Sequence, residues 1–381
     1  MPRHSARSRT RHGAGSMVEW DDWEWQFSHR VTDVEQLPLP WLSQEKRSAL
    51  TEVCGRFPMA VTPYYLSLAD PDDPEDPIIR QVLPSIHEIV PAAAASADPL
   101  REDENTPVKG LTHRYPDRAL FVVTSVCAAY CRHCTRKRKW NDGSGGTLTA
   151  PEVTRAVAYL RSHPEIRDVL VSGGDPLTLP LPLLAYILEQ VRGIPHVEII
   201  RIGTRIPVVL PQRITPSLLD VLEKNGPLWV NTQFNHPREV TGESAHACDL
   251  LLRRGIPVSN QTVLLRGVND RARIIEELNR ALLRIKVRPY YLFQCDPVVG
   301  TEHFRTSVWT GVTIMEHLRG RVSGLAIPHF VIDLPGGGGK VPLLPDYIVS
   351  QDDDRITFRN YEGKMFVHRE PRPSEGGNPS L

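Results

Sequence analysis

The chain has 381 residues, with 45 Lys and Arg against 45 Asp and Glu, so its formal net charge is zero. This balance argues against a protein built mainly to bind nucleic acid or an anionic membrane surface. The sequence has no apolar run near the roughly 20 residues of a membrane-spanning helix, and its N-terminus lacks the apolar segment of a secretory signal. We therefore expect a cytoplasmic protein, and 40% hydrophobic residues are enough to bury a sizeable core.

The N-terminal part of the sequence divides into two segments. Residues 1–16 are basic, rich in Ser and Gly and without apolar periodicity, which predicts a disordered tail. A Trp-rich opening and helical patterns follow, so we predict a helical N-terminal region over 17–110. Within it, TPYYLSLADPDDPEDP at 62–77 carries the prolines and aspartates that are typical of turns.

The middle of the sequence is regular. Between about 118 and 295, six short β-branched runs alternate with helical patterns, which predicts a parallel sheet with crossover helices. One helix has explicit boundaries, since Thr215 can cap it, Pro216 suits its first position and Gly226 can end it. Six repeats predict an α/β fold, a partial (β/α)6 TIM-like barrel over 111–325, with a doubly wound sheet as the alternative. The C-terminal segment is assigned to 326–381, and the part after 351 has no strong pattern.

Unusual polar residues follow the predicted strands. Cys127 comes after the first strand, SGGD at 172–175 after the second, GTR at 203–205 after the third and QCD at 294–296 after the sixth. Ligands of parallel α/β proteins bind at the carboxyl ends of the strands. This coincidence therefore predicts an active site at that end of the sheet.

Three cysteines lie at 127, 131 and 134, in a Cys-x3-Cys-x2-Cys pattern. A [4Fe–4S] cluster normally takes four cysteines, so three would leave one iron open to an exogenous ligand. S-adenosylmethionine (SAM) is such a ligand, and electron transfer from the cluster would cleave it to a 5′-deoxyadenosyl radical. The alternative is a structural zinc site completed by His133 or a distant residue. The remaining thiols, interpreted as buried, are Cys54, Cys248 and Cys295.

The segment PGGGGK at 335–340 is not a Walker phosphate loop. Leu334 stands where that pattern needs Gly, and Val341 where it needs Ser or Thr. The segment follows an apolar run and is flanked by prolines, so its lysine is positioned. Lys340 therefore suits a Schiff base with pyridoxal phosphate (PLP), with a flexible linker and a solvated lysine as the alternative.

Six segments together resemble one family. They are GLTHRYPDR, CAAYCRHCTRKR, VSGGDPL, RPYYLFQCD, GTEHFRT and DLPGGGGKVPLLPDY, in this order between 110 and 347. Their order and spacing closely resemble the lysine 2,3-aminomutase family, and the resemblance covers roughly 19–350. It implies a radical SAM, PLP-dependent isomerase that interconverts L-lysine and L-β-lysine by migration of an amino group. An arginine 2,3-aminomutase, or another amino acid 2,3-aminomutase of the family, is the alternative.

The resemblance also assigns cofactor contacts. It implies that the three clustered cysteines hold the [4Fe–4S] cluster and that Lys340 carries PLP. Arg114 and Arg118 match positions that help to hold PLP, whose phosphate is a natural partner of arginine. The positions that it places near SAM are Gly173, Gly174, Asp175 and Gln261.

For the substrate, the resemblance implies that Arg136 binds the carboxylate and that Asp296 and Asp333 bind the terminal ammonium. Two carboxylates in a dry pocket are costly unless a cation pairs with them. Such a pocket suits lysine, tolerates arginine and disfavours glutamate. The basic residues beside Arg136, interpreted as a solvated stretch, are Lys137, Arg138 and Lys139.

Some features depart from the family pattern. Members with a structural zinc between subunits use cysteines near the C-terminus, and this chain has none after Cys295. Gln233 stands where several relatives have histidine, and Phe293 where tyrosine is frequent. We expect a homo-oligomer, with a flavodoxin or ferredoxin as electron donor. A zinc-stabilised RNA-binding protein that uses RHCTRKRKW is the alternative of a different class, but it leaves Lys340 unexplained.

Overall fold

The computed structural model describes residues 17–92, 95–140, 146–352 and 354–370. The predicted tail at 1–16 lies outside these residues. The helices are α1 Met17–Trp20, α2 Trp23–Ser28, α3 Gln44–Arg56, α4 Pro63–Leu66, α5 Ala150–Ser162, α6 Leu181–Arg192, α7 Ile206–Val209, α8 Pro216–Lys224, α9 Gly242–Arg253, α10 Ala272–Arg284 and α11 Val308–Leu318. The strands are β1 Leu111–Tyr115, β2 Arg118–Thr124, β3 Asp168–Gly173, β4 Ile199–Gly203, β5 Leu228–Thr232, β6 Val258–Leu264, β7 Arg288–Gln294, β8 His329–Leu334, β9 Gly339–Pro342, β10 Ile348–Asp352, β11 Arg355–Arg359 and β12 Met365–Arg369.

Strands β1 to β9 form one sheet in the order of the sequence. Strands β2 to β8 are parallel, and β1 and β9 pair antiparallel at the two edges. At least one helix of nine or more residues lies between each pair of successive parallel strands. Because the strand order never reverses, the sheet curls into a partial barrel and is not doubly wound. The predicted α/β class and the partial barrel are confirmed, and the doubly wound alternative is wrong.

The barrel has a seventh parallel strand, β8, which is the HFVIDL run before PGGGGK; the sequence predicts a strand there, but outside the six barrel repeats. The six predicted repeats correspond to β2 to β7, and β8 joins them by pairing with β7 from Tyr291 to Phe293. The boundaries of α8 were largely readable, since Thr215 accepts a hydrogen bond from the Leu218 amide and Pro216 opens the helix. That helix ends at Lys224, two residues before Gly226, with Asn225 as its C-terminal cap.

The N-terminal region contributes to the same hydrophobic core as the barrel. Buried residues of 34–82, such as Leu39 and Tyr65, belong to one cluster with Phe121 of β2 and Val169 of β3. Among the described residues before β1, only α3 exceeds six residues, and the others form short helices, 3₁₀ turns and loops. The predicted helical region is therefore less helical than expected. Because the two regions share one core, the N-terminal region packs together with β2, at whose end the cysteine segment begins.

A second sheet follows the barrel. Strands β10, β11 and β12 pair antiparallel, and the turn between β11 and β12 is closed by the Asn360 side chain, which accepts from the Glu362 and Lys364 amides. The sequence has no strong pattern after 351, yet β11 and β12 form there, and the residues of β12 are all exposed. Within the described ranges, no helix combines the length and the apolar character that a membrane crossing needs.

Candidate active site

The cysteine loop, residues 125–140, connects the end of β2 to α5. Cys127, Cys131 and Cys134 are half-buried in it and lie close enough for their charges to interact. Burial, followed by the charge of Cys131, raises the pKa of the Cys134 thiol to about 11. Burial also raises the pKa of Cys127 well above its ordinary value. Since a thiolate is unfavourable here without a cation, and metal coordination deprotonates thiols, this donor set fits a metal cluster.

His133 does not complete a zinc site with these thiols. Its Nε2 faces the side-chain nitrogens of Gln233 and Asn235, at 3.2 and 3.4 Å. Burial, followed by the charge of Arg205, lowers its pKa well below the ordinary value, so the ring is neutral. Among the described residues, no three His, Cys, Asp or Glu side chains are arranged to hold a single metal ion. The zinc alternative therefore has no support from the geometry.

Two residues of the cysteine loop, Arg132 and Lys137, form a buried ion-pair cluster with Glu88. Arg132 donates two hydrogen bonds to the Glu88 carboxylate, at 2.9 and 2.6 Å, and both side chains are 0% exposed. The Lys137 ammonium, 1% exposed, donates to the same carboxylate at 2.7 Å and to the Gly300 carbonyl at 3.1 Å. The interpretation of Lys137 as solvated is wrong.

The two residues after Lys137 are also paired. Arg138 contacts carboxylates of Asp98 and Asp103, and Lys139 contacts Asp103. The carboxylates come from a distant segment of the chain, so the sequence offered no local sign of them. The basic run is therefore fixed by acidic partners and is not a free surface patch.

The SGGD segment packs directly against the start of the cysteine loop. A Cβ at Gly173 would lie 2.2 Å from the Thr124 carbonyl oxygen, and one at Gly174 would lie 2.3 Å from that of Val126. The Gly174 and Asp175 amides donate to the same two carbonyls, at 2.5 and 2.8 Å. Glycine is therefore required at both positions by the close approach of two backbones.

Asp175 links the ends of β3 and β4. Its carboxylate accepts from the Thr204 hydroxyl and from the Arg205 amide, both at 2.7 Å. Burial raises its pKa to about 6. Gln261, also assigned near SAM, lies half-buried on β6 opposite Tyr291 of β7. Asp175 and Gln261 thus lie on different strands of the barrel, and the Asp175 carboxylate is engaged within the protein.

The second half of the site is the glycine–lysine hairpin, residues 333–342, formed by the end of β8 and by β9. Gly336, Gly337 and Gly339 have φ of 72°, 82° and 86°, which makes the tight turn possible. Lys340 pairs with Asp333 across the two strands, and its ammonium donates to that carboxylate at 2.9 and 3.1 Å. The turn at these glycines therefore places Lys340 on β9 directly opposite Asp333 on β8.

Tyr115, which the sequence analysis missed, connects the lysine to the two assigned arginines. Its hydroxyl accepts from the Lys340 amide and from the Arg114 guanidinium, both at 3.2 Å. The Arg118 guanidinium lies 4.8 Å from the centre of its ring. Two guanidinium groups and the Lys340 backbone thus meet at one tyrosine, and the two cations fit the phosphate of PLP. Its place between two arginines in HRYPDR was the available signal.

Of the residues assigned to the substrate, Arg136 and Asp333 already have partners within the protein, and the charge of Asp333 acts on Asp296. Burial, followed by the charge of Asp333, raises the pKa of Asp296 to about 7, whereas the Lys340 ammonium lowers it. Arg136 forms a two-bond pair with Glu102, at 2.6 and 3.1 Å. Glu102 was not predicted, and its charge also acts on Asp296. The part of the site around Asp296, Asp333 and Glu102 is therefore strongly acidic.

Comparison with known proteins shows which families and which individual proteins this chain is similar to. A family model described as Lysine-2,3-aminomutase matches residues 315–378, and one described as Radical SAM superfamily matches 121–278. The L-lysine 2,3-aminomutase of Clostridium subterminale is 50% identical over 93% of this chain and 86% of its own length, and that of Fusobacterium nucleatum is 49% identical over 93% and 83%. The glutamate 2,3-aminomutase of Clostridioides difficile is 44% identical over 94% and 85%.

Proposed function

The chain belongs to the lysine 2,3-aminomutase family, and on that premise we propose that it interconverts L-lysine and L-β-lysine. It is an isomerase of the radical SAM superfamily, whose chemistry uses a [4Fe–4S] cluster and SAM. The observation that carries the choice of lysine is the pair of carboxylates, Asp296 and Asp333, beside the Lys340 ammonium. A pocket that already holds one alkylammonium ion suits a substrate that ends in another.

The cysteine loop and the glycine–lysine hairpin are the proposed cofactor sites. The cysteine loop would hold the cluster through its three thiols, and Lys340 would carry PLP, with Arg114 and Arg118 near its phosphate. When bound, the cluster and SAM supply a radical that abstracts hydrogen, and PLP supplies the conjugated π-system through which the amino group migrates. The protein binds these groups and orients them.

Lys340 has to lose a proton before it can act as a nucleophile. While its ammonium is paired with Asp333, the proton is held at Nζ. The same nitrogen lies 5.1 Å from the centre of the Phe293 ring, whose face also attracts the ammonium. When Lys340 carries PLP, Nζ would leave both contacts and release Asp333 for the substrate.

At the other end of the substrate, Arg136 is the proposed partner of the carboxylate. Burial lowers its pKa, but Glu102 raises it more, so the guanidinium keeps its charge. A substrate carboxylate that displaces Glu102 would preserve two parallel hydrogen bonds to the guanidinium. We infer that Glu102 holds the planar group in place until the substrate arrives.

The same acidic pocket separates the candidate substrates. A glutamate substrate would bring a further carboxylate towards Asp296 and Asp333, a like-charge contact in a poorly solvated pocket. A guanidinium also pairs with two carboxylates, so L-arginine is the alternative substrate. Charge therefore excludes glutamate but does not by itself separate lysine from arginine.

An anaerobic turnover assay tests the proposal. The chain would be reconstituted with cluster, PLP and SAM, reduced with dithionite, and offered L-lysine, L-arginine and L-glutamate together, with chiral mass spectrometry of the products. We expect β-lysine to dominate, and to be lost in Lys340→Ala but kept in Lys364→Ala, an exposed lysine of the C-terminal sheet. β-Arginine as the main product would overturn the substrate choice. SAM cleavage without any β-amino acid would overturn the aminomutase assignment.

A further inference from the structure

Arg205 has no role in the proposed function, yet it reaches the cysteine loop from the end of β4, two strands along the sheet from β2. It lies just after β4, between Thr204 and the short helix α7, and its side chain is 7% exposed. Its Nη1 donates to the Cys131 sulfur at 2.7 Å, and its Nε donates to the Gln233 carbonyl at 3.2 Å. A buried guanidinium is therefore in direct contact with one of the three clustered thiols.

A buried polar network fixes the position of this guanidinium. Its Nη2 lies 2.6 Å from a Glu239 carboxylate oxygen, 2.6 Å from the Gln81 side-chain oxygen and 3.1 Å from the Tyr65 hydroxyl. Tyr65 in turn donates to Glu239 at 2.6 Å, and the other oxygen of Glu239 accepts from the Asn235 amide. Partners from the N-terminal region and from the barrel thus hold Arg205 with its Nη1 on Cys131.

Glu239 does not remove the influence of Arg205 on the sulfur. An arginine guanidinium stays protonated in proteins, so Arg205 is charged beside both Glu239 and Cys131. Cys131 contacts Nη1, whereas the side-chain oxygens of Glu239, Gln81 and Tyr65 contact Nη2. The sulfur therefore has a hydrogen-bond donor that these side chains do not share.

We propose that Arg205 sets the reduction potential of the cluster held by Cys127, Cys131 and Cys134. This inference rests on the proposed function only for the presence of the cluster. When the cluster accepts one electron from a flavodoxin, a ferredoxin or dithionite, negative charge increases on iron and sulfur, and no bond or proton has to move. A hydrogen bond and a positive charge at a ligand sulfur stabilise the reduced state more than the oxidised state, which raises the potential.

The test is an equilibrium redox titration of the reconstituted chain, with electron paramagnetic resonance to count reduced clusters and a separate iron assay. Arg205→Met, which removes both the charge and the donor, is expected to lower the ratio of reduced to oxidised cluster about tenfold at a fixed solution potential, or about 59 mV for one electron. Arg205→Lys keeps a charge but cannot reach Glu239 and Cys131 with a planar fork, so a smaller shift in the same direction is expected.

Arg213 provides the matched control. It is a buried arginine near the same end of the barrel, but its guanidinium donates to the Leu177 and Leu179 carbonyls. Arg213→Met is expected to leave the cluster potential unchanged. An unchanged potential in both Arg205 variants with normal iron content would overturn the proposal, and Arg205→Lys alone decides it if Arg205→Met does not fold. Turnover on lysine does not enter the readout, so failure of the substrate assignment gives a different result.

Discussion

The cysteine loop and the glycine–lysine hairpin lie at one site but are held in opposite ways. Beneath the loop, Arg132 and Lys137 share the buried Glu88 carboxylate, and Arg205 adds a bond to a sulfur from the side. The hairpin rests on glycine turns and on the Lys340–Asp333 ion pair, in which the lysine side chain is 36% exposed. One half of the site is fixed by buried charges, and the other is held by contacts that can open.

This difference matches what each half has to do. A redox centre benefits from dipoles and charges that stay in place when an electron arrives. Lys340, in contrast, occupies the carboxylate that we propose for the substrate ammonium, so it has to leave Asp333 in every turnover. We infer that the loop is built for rigidity and the hairpin for exchange.

Removal of Glu88 is expected to have the largest effect. In Glu88→Ala two buried cations lose their shared partner, and breaking a buried pair of this kind costs about 3–5 kcal/mol in the free energy of unfolding. Urea denaturation and iron content measure the result, and both stability and cluster loading should fall. Glu198→Ala, which removes an exposed partner of Arg167, is the control and should cost no more than about 1 kcal/mol.

The pH dependence of this cluster has a defined sign. Burial raises the pKa of Glu88, but Arg132 and Lys137 lower it more, so the net pKa lies below the ordinary value. A depressed carboxyl pKa contributes stability above the unfolded pKa, near pH 4.5, and this stability is lost as pH falls through the folded value. Glu88→Gln should therefore lose less stability than wild type on acidification, and equal losses would contradict the ion-pair account.

Glycine substitutions compare the two halves directly. At Gly174 a new Cβ would lie 2.3 Å from a backbone oxygen of the cysteine loop, and Gly174→Ala is expected to cost about 1–3 kcal/mol. At Gly337 the nearest atom is 3.8 Å away and the cost is the positive φ alone, about 1 kcal/mol. Thermal unfolding of the two variants gives the order, and a larger loss at Gly337 would reverse the comparison.

Lysine affinity should depend on pH through Asp296, whose pKa of about 7 means that it is neutral in acid and charged above neutrality. A cationic substrate binds the charged form, so the apparent KM for L-lysine should fall about tenfold between pH 6 and pH 8. Steady-state assays across this range measure it. Asp296→Asn should have a raised KM that no longer changes with pH, and a preserved slope would assign the titration to another group.

Lys340→Ala is expected to have a smaller effect on stability than Glu88→Ala. The lysine is partly exposed, but its partner Asp333 is 6% exposed, so loss of the lysine should cost about 1–3 kcal/mol in the free energy of unfolding, although turnover is lost. Urea denaturation of wild type and variant, side by side with Glu88→Ala, measures the contrast. A loss as large as that of Glu88→Ala would mean that the hairpin is as much a structural element as the loop.

Local patterns in the sequence predicted the barrel, the cysteine cluster and the position of Lys340, whereas the other cofactor and substrate residues came from the family resemblance. Cysteine spacing, turn glycines and strand periodicity are visible within ten to twenty residues, and helix α8 was found from its cap. The partners that fix these residues could not be predicted in the same way, since Glu88, Glu102 and Arg205 lie 44, 34 and 74 residues from Arg132, Arg136 and Cys131, respectively. Long-range charge pairing has no local signature, and for this reason Lys137 was misread as solvated.

The division between a fixed loop and an exchanging hairpin is tested most directly by hydrogen–deuterium exchange of the cluster-loaded chain, read by mass spectrometry. Amides of residues 131–137 should be protected, whereas those of 336–342 should exchange at least about tenfold faster. L-Lysine, added with PLP, should slow exchange in the hairpin and leave the loop unchanged. Equal protection of the two segments, or faster exchange in the cysteine loop, would contradict the account.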